Sequence, residues 1–182
     1  MNILITGGTG LIGQALCKAL LRQHQLTVVS RDIKRASAIL DPEIRIIASL
    51  NVLTELNSVD AVINLAGEPI ADKRWSHQQK DLICQSRWQT TQHLVKLFNA
   101  SSNPPAVFIS GSAIGIYGQQ NAQPISEEFT QFHPEFSHTI CEQWEAIANQ
   151  VEAITRVCLL RTGIVLSREG GALKKMLPAF KF

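Results

Sequence analysis

Concentrated charge of one sign is missing from this sequence. Its 182 residues carry 17 Lys and Arg against 15 Asp and Glu, a net charge of +2, with the two signs interspersed. A nucleic-acid partner selects a basic face or stripe, and no such run is present. Long apolar runs are also missing. The widest uncharged stretch, Asn99 to Ser126, is broken by Pro104, Pro105, glycines and many polar residues, so it does not read as a membrane span. Met1-Asn2 leads straight into Ile3-Leu4-Ile5 with neither a basic leader nor a cleavage site, and no secretory signal is expected. Cysteine is sparse: Cys17, Cys84, Cys141 and Cys158 form neither a metal-type pair nor a dense framework. Small buried thiols in a reduced, cytoplasmic protein are the expectation. Repeats and low-complexity tracts are absent. Tyrosine is nearly so, with Tyr117 the single example. No nucleic-acid or membrane partner is therefore expected, and the oligomeric state stays open.

What is present is an ordinary globular composition, 45% hydrophobic and 18% charged. Short apolar runs alternate with helical patterns, the signature of an α/β chain with a doubly wound, mostly parallel sheet of Rossmann type and helices on both faces. The strands are expected at Asn2–Thr6, Leu26–Ser30, Ile44–Ala48, Ala61–Leu65, Ala106–Ser110 and Ile154–Leu160. Continuous apolar runs such as Ala61-Val62-Ile63-Asn64-Leu65 suit strands buried on both faces. Helices are expected over Leu11–Gln23, with Leu16, Ala19 and Leu20 on one face, and over Ser76–Asn99, with Ser76 as N-cap and Ile83, Leu94, Leu97 and Phe98 as apolar positions. A further helix is expected over Ser137–Gln150, and another begins at Ala172 and is interrupted by Pro178.

Gly7-Gly8-Thr9-Gly10-Leu11-Ile12-Gly13 follows the first strand and opens the first helix. Gly7 lets the chain turn off the strand, Gly10 lets a pyrophosphate approach the backbone, and Gly13 lets the helix pack on the sheet. The helix N-terminus offers free N–H groups and its positive dipole end to the phosphates. This arrangement predicts a dinucleotide cofactor. An acid at the end of the second strand binds the ribose 2′-hydroxyl of NAD, whereas an Arg accommodates the 2′-phosphate of NADP. Here the strand runs Val28-Val29-Ser30-Arg31, with Lys34 and Arg35 a turn later. NADP(H) is favoured, with NAD(H) the alternative if Asp32, instead of capping a helix, reaches the ribose.

The segments Gly7–Gly13, Asn64-Leu65-Ala66-Gly67, Ser110-Gly111-Ser112 with Tyr117-Gly118, and Arg161-Thr162-Gly163 together resemble the extended short-chain dehydrogenase/reductases. The segments Asn64 to Ile70, Arg74-Trp75, Ser86-Arg87, Thr90-Thr91, Cys141 with Trp144-Glu145, and Arg161 to Leu166 resemble more closely their atypical, nucleotide-sugar-epimerase-like branch. The resemblance covers the whole chain. It implies that Asn64, Leu65, Ala66 and Gly67 line the adenosine side of the cofactor. Ser112, beyond the fifth strand, takes the place of the catalytic serine. Thr6, Arg87, Ser110 and Gly111 join the cofactor-binding set, and the substrate is an unknown small molecule.

Two departures from that pattern stand out. Extended members carry a Tyr as general acid/base and, four residues later, a Lys that lowers its pKa. The matching slots hold Ser137 and Cys141, and neither can do that work at neutral pH. Arg87 stands where the long helix would carry an Asn. Little turnover is expected, and a non-catalytic cofactor-binding module or an inactive fragment is the alternative. Proteins of this type also continue into a smaller substrate-binding lobe, so residues 1–182 are expected to be the Rossmann domain without that lobe. His133 and His138 near Glu127, Glu128 and Glu135 match no metal spacing, and no metal is expected. Trp75, Trp88 and Trp144 read as core and interface residues, because no basic stripe accompanies them.

Overall fold

A computed structural model describes residues 1–180; Lys181 and Phe182, the end of the expected final helical segment, lie outside the described residues. Six strands form one sheet: β1 (Asn2–Thr6), β2 (Gln25–Val29), β3 (Arg45–Ile47), β4 (Ala61–Asn64), β5 (Val107–Ala113) and β6 (Arg156–Thr162). The helices are α1 (Leu11–Leu20), α2 (Ile33–Ile39), α3 (His77–Ala100), α4 (Phe136–Ala148) and α5 (Gly171–Met176). The strand order is β3-β2-β1-β4-β5-β6 and every pairing is parallel. This is the doubly wound Rossmann order, in which the chain reverses direction across the sheet between β1 and β4.

Strand alternation sorts the core into two layers. Ile3, Ile5, Leu26, Val28 and Ile63 pack with Cys17 of α1 and Ala36 of α2. Leu4, Val62 and Phe108 face the other way, onto Leu94, Leu97 and Phe98 of α3 and Ile147 of α4. Phe98 and Phe108, both fully buried, meet with ring centroids 5.1 Å apart. Leaving such a ring unburied would cost about 1.5–3 kcal/mol, and with buried Leu94, Val95 and Leu97 it holds α3 on the sheet.

The expected elements are found with shifted ends. Ser76 does cap α3, its side chain accepting from the Gln79 amide. The first helix stops at Leu20, not Gln23; Leu16 and Leu20 pack against the core as expected, Gly13 and Cys17 are the buried positions of that face, and Ala19 is exposed. The reason is that Cys17, one turn from Gly13, keeps the close approach that the glycine starts. Strand β2 ends at Val29, leaving Ser30 and Arg31 in the following turn. β4 ends at Asn64, before Leu65. β5 reaches Ala113, so Ser112 lies inside the strand, not beyond it. Its pairing with β6 through Ala113↔Thr162 extends both strands past the other carboxyl ends. β6 starts at Arg156 because the turn before it is closed by Thr155, whose hydroxyl donates to Pro105 O at 2.7 Å. α5 ends at Met176 and a tighter 3-10 turn over Leu177–Phe180, containing Pro178, follows. No helix among the described residues is long and apolar enough to cross a membrane.

Candidate functional site

Register places Val29, Thr6, Asn64 and Ser110 side by side across the sheet. The crevice at the switch point lies just outside this row, between the loops after β1 and β4. The first of those loops is the glycine turn. Gly7 has φ +73°, and a Cβ there would lie 2.5 Å from the Leu65 carbonyl group. At Gly13 a Cβ would lie 2.3 Å from Gly7 O. Gly8 is required too, since a Cβ would press within 2.8 Å of Val28, a constraint the sequence reading did not assign. Gly10 is different. Its φ is −78°, it is exposed, and a Cβ would meet only Gly7 O at 3.3 Å. A side chain at 10 asks Gly7 O to give by a few tenths of an ångström, far less than at Gly7, Gly8 or Gly13, and the space it would fill is in front of the first turn of α1. There the Leu11, Ile12 and Gly13 amides lack intrahelical partners by the geometry of any helix start. Gln14 steadies the turn, its side chain donating to Thr9 O at 2.9 Å.

At the end of β2, the Asp32 side chain accepts from the Arg35 amide at 2.9 Å and caps α2. The Ser30 hydroxyl donates to Asp32 O at 3.1 Å. Asp32 is thereby the helix cap of the two roles the sequence left open. Arg31 is exposed, and its charge is close enough to help hold the Glu68 carboxyl below its ordinary range, behind the larger effects of Lys73 and Gln79.

Thr6 and Asn64 do not present their side chains to the crevice. Thr6 Oγ1 donates to Asn64 Oδ1 at 2.6 Å, and Asn64 Nδ2 donates to Thr91 Oγ1 at 2.8 Å. Thr91 in turn donates to Arg87 O at 2.7 Å. All three are buried, so this chain of bonds ties β1, β4 and α3 together beneath the site. Only the backbone of this row, with Leu65, Ala66 and exposed Gly67, faces outward. The Ala66 amide donates back to Thr6 Oγ1 at 3.3 Å. The next residue, Glu68, is anchored through its amide to Ser86 Oγ at 2.9 Å and through its carbonyl to Arg87 Nη1 at 3.0 Å. Arg87 therefore lies directly behind Gly67, with its guanidinium 5.3 Å from the Trp144 ring and its pKa pulled down by burial.

The residues in the slots of the expected catalytic set do converge. Ser112 is buried on β5 and Cys141 of α4 lies against the Ser112 hydroxyl and the Ala113 amide. Ser137 packs on Gly115, where a Cβ would come within 3.1 Å of its own Cβ. The hydroxyl of Ser112 donates to Glu145 Oε1 at 2.5 Å. Glu145 is also held bidentately by one edge of Arg161, Nε at 3.0 Å to Oε1 and Nη2 at 2.9 Å to Oε2. The third nitrogen, Nη1, donates to Tyr117 OH at 3.1 Å and to Glu127 O at 2.9 Å. Glu145 pushes the Arg161 pKa still higher, so the guanidinium is a fixed cation. Tyr117 is further wedged between Phe129 and Phe132. Burial pushes the Cys141 thiol up, which makes it a packed apolar group, not a nucleophile. Ser110 and Gly111 are buried, and Gly111 leaves room for Trp144, whose ring carbons would come within 2.8 Å of a Cβ. Trp144 is core, Trp88 half-buried and Trp75 43% exposed, donating to Ile70 O at 2.6 Å. His138 is buried with Nδ1 against Ile116 O at 2.5 Å, and no group of His, Cys, Asp and Glu among the described residues could hold a metal.

The Ser112–Glu145–Arg161–Tyr117 cluster and the Thr91 link were missed by sequence reasoning. The sequence did single out Thr90-Thr91, Trp144-Glu145 and Arg161, but nothing in their spacing says that α3, α4 and β6 converge.

Comparison with known proteins agrees with this geometry. The model of the NAD dependent epimerase/dehydratase family matches residues 3–180. An epimerase family protein of Staphylococcus haemolyticus is 37% identical over the whole chain, which covers 60% of that relative. A chloroplastic epimerase family protein of Arabidopsis thaliana is 34% identical over the whole chain and 54% of its own length. The crystal structure of human epimerase family protein SDR39U1 with NADPH superimposes with a TM-score of 0.84 at 32% identity, over 99% of this chain and 59% of that one. A nucleoside-diphosphate sugar epimerase of Corynebacterium glutamicum gives a TM-score of 0.77 at 28% identity, over 99% and 37%. The chain thus spans about 60% of the length of the first of these relatives. The match over nearly its full length places the chain in the NAD-dependent epimerase/dehydratase family of the short-chain dehydrogenase/reductase superfamily.

Proposed function

We propose that this chain binds NADP(H), in preference to NAD(H), as the cofactor module of an epimerase- or reductase-like protein acting on a small molecule. The observation that carries the reading is Gly10. Gly7, Gly8 and Gly13 are held to glycine by contacts under 3.0 Å, whereas exposed Gly10 meets only Gly7 O at 3.3 Å, so most of the space a side chain there would fill is that of a ligand before the α1 N-terminus. Thr6 to Gly13, Ser30, Arg31 and the Asn64–Gly67 backbone make up the proposed cofactor site, with Thr6 and Asn64 acting from beneath. The preference for the 2′-phosphate is supported by Asp32 being committed to its helix cap while Arg31 is exposed beside it. The human neighbour was crystallised with NADPH. When bound, the cofactor supplies hydride transfer. The chain's own part is to hold it: α1 amides on the pyrophosphate and Arg31 on the 2′-phosphate. Ser112 would sit below the reacting region, its hydroxyl oriented by Glu145. The test is calorimetric titration with NADPH and NADH. NADPH should bind roughly 5- to 30-fold more tightly, the worth of about 1–2 kcal/mol from one partly exposed Arg–phosphate contact. Equal affinities would reject the preference, and no binding of either would reject the module.

A second reading, a module that binds cofactor without turnover, is favoured by one observation. Ser137 and Cys141 occupy the Tyr and Lys slots, and the single tyrosine is locked on Arg161.

A further inference from the structure

Residues 118–135, between the 3-10 turn over Ile114–Tyr117 and α4, contain neither helix nor strand. Loops longer than about 12–15 residues without secondary structure are uncommon in compact domains, and active-site lids are among their usual roles. The ends of this one are drawn together. Gln120 Nε2 donates to Gln131 O at 3.0 Å and to Tyr117 O at 2.7 Å, and the His133 amide donates to Tyr117 O at 3.0 Å. Phe132, beside this neck, packs on the His138 ring of α4 with centroids 5.4 Å apart. Residues 121–130 therefore form an Ω-loop on a fixed neck. Apart from Ile125 and Phe129 they are exposed. Among the described residues one hydrogen bond ties this loop to the body of the molecule, from Arg161 Nη1 to Glu127 O at 2.9 Å. Phe129 adds a ring contact, edge-on to Tyr117 with centroids 6.1 Å apart. Both fastenings end on one cluster. The same Nη1 donates to Tyr117 OH at 3.1 Å, and the opposite edge of Arg161 holds Glu145, which accepts from Ser112. Ser112 and Arg161 are also register partners on β5 and β6, so the loop is pinned at the carboxyl end of those strands, beside Ser112.

We propose that residues 121–130 are a strap over the Ser112 side of the site, latched by Arg161 on Glu127 O, and that its release uncovers the Tyr117 hydroxyl to a small-molecule substrate. The strap rests on the site reading above only for what it guards. Release breaks one charge-assisted hydrogen bond and one ring contact, a small share of what holds the fold, so it is a local opening. The neck stays closed through Gln120 and His133. Arg161 keeps its bidentate hold on Glu145, so Ser112 stays oriented whether the strap is down or up. The one tyrosine of the chain, absent from its slot on α4, is thus held beside a fixed cation and covered until the strap lifts.

Because Tyr117 is the single tyrosine, its acetylation by N-acetylimidazole reads one site. The acetyl group passes to the phenol oxygen, the phenol proton leaves on imidazole, and the mass of the Tyr117 peptide reports the product. When opening is fast relative to the reaction, the rate follows the open fraction. Wild type should react several-fold more slowly than N-acetyltyrosinamide. Its rate should be nearly flat in dilute urea, since lifting a strap exposes little surface, whereas global unfolding gives a steep dependence. Phe129→Ala leaves the bond between Tyr117 and Arg161 intact and should speed acetylation at least roughly twofold, the worth of one aromatic pair. Arg161→Lys keeps a cation for Glu145 but loses the fork that also reaches Glu127 O, and should speed it roughly tenfold or more. Where Arg161→Lys does not fold, Arg161→Met with Glu145→Leu carries the same expectation. A wild-type rate equal to that of the free amide overturns the strap, and so does a steep urea dependence. An unchanged rate in folded Phe129→Ala or in the folded Arg161 variant overturns it as well. Failure of NADPH to bind would sink the cofactor reading and leave the acetylation result standing, so the two can fail independently.

Discussion

Placing one side chain at Gly10 and another at Gly13 should separate binding from folding. At Gly13 the new Cβ would sit 2.3 Å from Gly7 O and 2.7 Å from Gly8 Cα, both backbone, so α1 must move off the turn. Overpacking of this kind costs about 1–3 kcal/mol. At about 2–4 °C per kcal/mol for a chain of this size, Gly13→Ala should lower Tm by roughly 2–12 °C. At Gly10 the nearest atom is Gly7 O at 3.3 Å and φ is −78°, which any residue adopts. The cost of Gly10→Val is a shift of a few tenths of an ångström at Gly7 O and the poorer N-cap preference, the latter below about 1.5 kcal/mol. Its side chain, however, stands before the α1 amides and would exclude a pyrophosphate. Losing even one or two charge-assisted hydrogen bonds, at about 1.5–3 kcal/mol each, weakens binding by at least roughly tenfold and up to about 20,000-fold. Thermal denaturation and NADPH titration on both variants are the assay. A folded Gly10→Val protein that binds NADPH within about threefold of wild type, a difference of ~0.65 kcal/mol, would refute the reasoning, because the turn would then not be the phosphate site.

Glu145→Ala should destabilise the fold by about 2–4 kcal/mol, because it strands the Arg161 cation and the Ser112 hydroxyl, with the lower bound set by the partial exposure of Arg161. Chemical denaturation checks this, and Arg161→Met combined with Glu145→Leu should recover part of the loss. Thiol titration at pH 8 should modify half-buried Cys158 well before Cys141, which is buried and whose thiol is raised by that burial more than the Ala113 amide, the Ser112 hydroxyl and Arg87 lower it; early Cys141 modification would contradict the packed role given to it. With NADPH and a panel of sugar nucleotides and carbonyl compounds, turnover should stay below ~1 s⁻¹, since the acid/base pair is absent and such catalysis is typically worth about 10²–10⁴-fold. Robust absorbance loss at 340 nm would place a proton donor elsewhere.

The sheet was legible because its strands are short apolar runs between helical patterns, and the glycine turn because its glycines stand at fixed spacing between the first strand and the first helix, although the contact that holds Gly7 to glycine comes from Leu65 after β4. The strand ends were less so. Ser112 looked as if it lay past β5, and only the tertiary pairing with β6 carries the strand to Ala113. Ser30 was expected to end the second strand and lies just past it, and whether Asp32 caps α2 or reaches outward depends on where α2 starts, which its sequence leaves open. Asn64 was taken for a lining residue, whereas its side chain turns inward to Thr6 and Thr91, a contact across two elements 27 residues apart. Glu145 with Arg161 was invisible for the same reason: a bidentate pair between α4 and β6 has no periodicity to announce it.

The most direct test of the central claim is the difference in affinity between NADPH and NADH in wild type and in Arg31→Ala, measured side by side by calorimetry. The account predicts a roughly 5- to 30-fold preference for NADPH in wild type, and its near-complete loss in Arg31→Ala through weaker NADPH binding alone. Equal binding of the two cofactors by wild type, or a preference that survives the loss of Arg31, would contradict it.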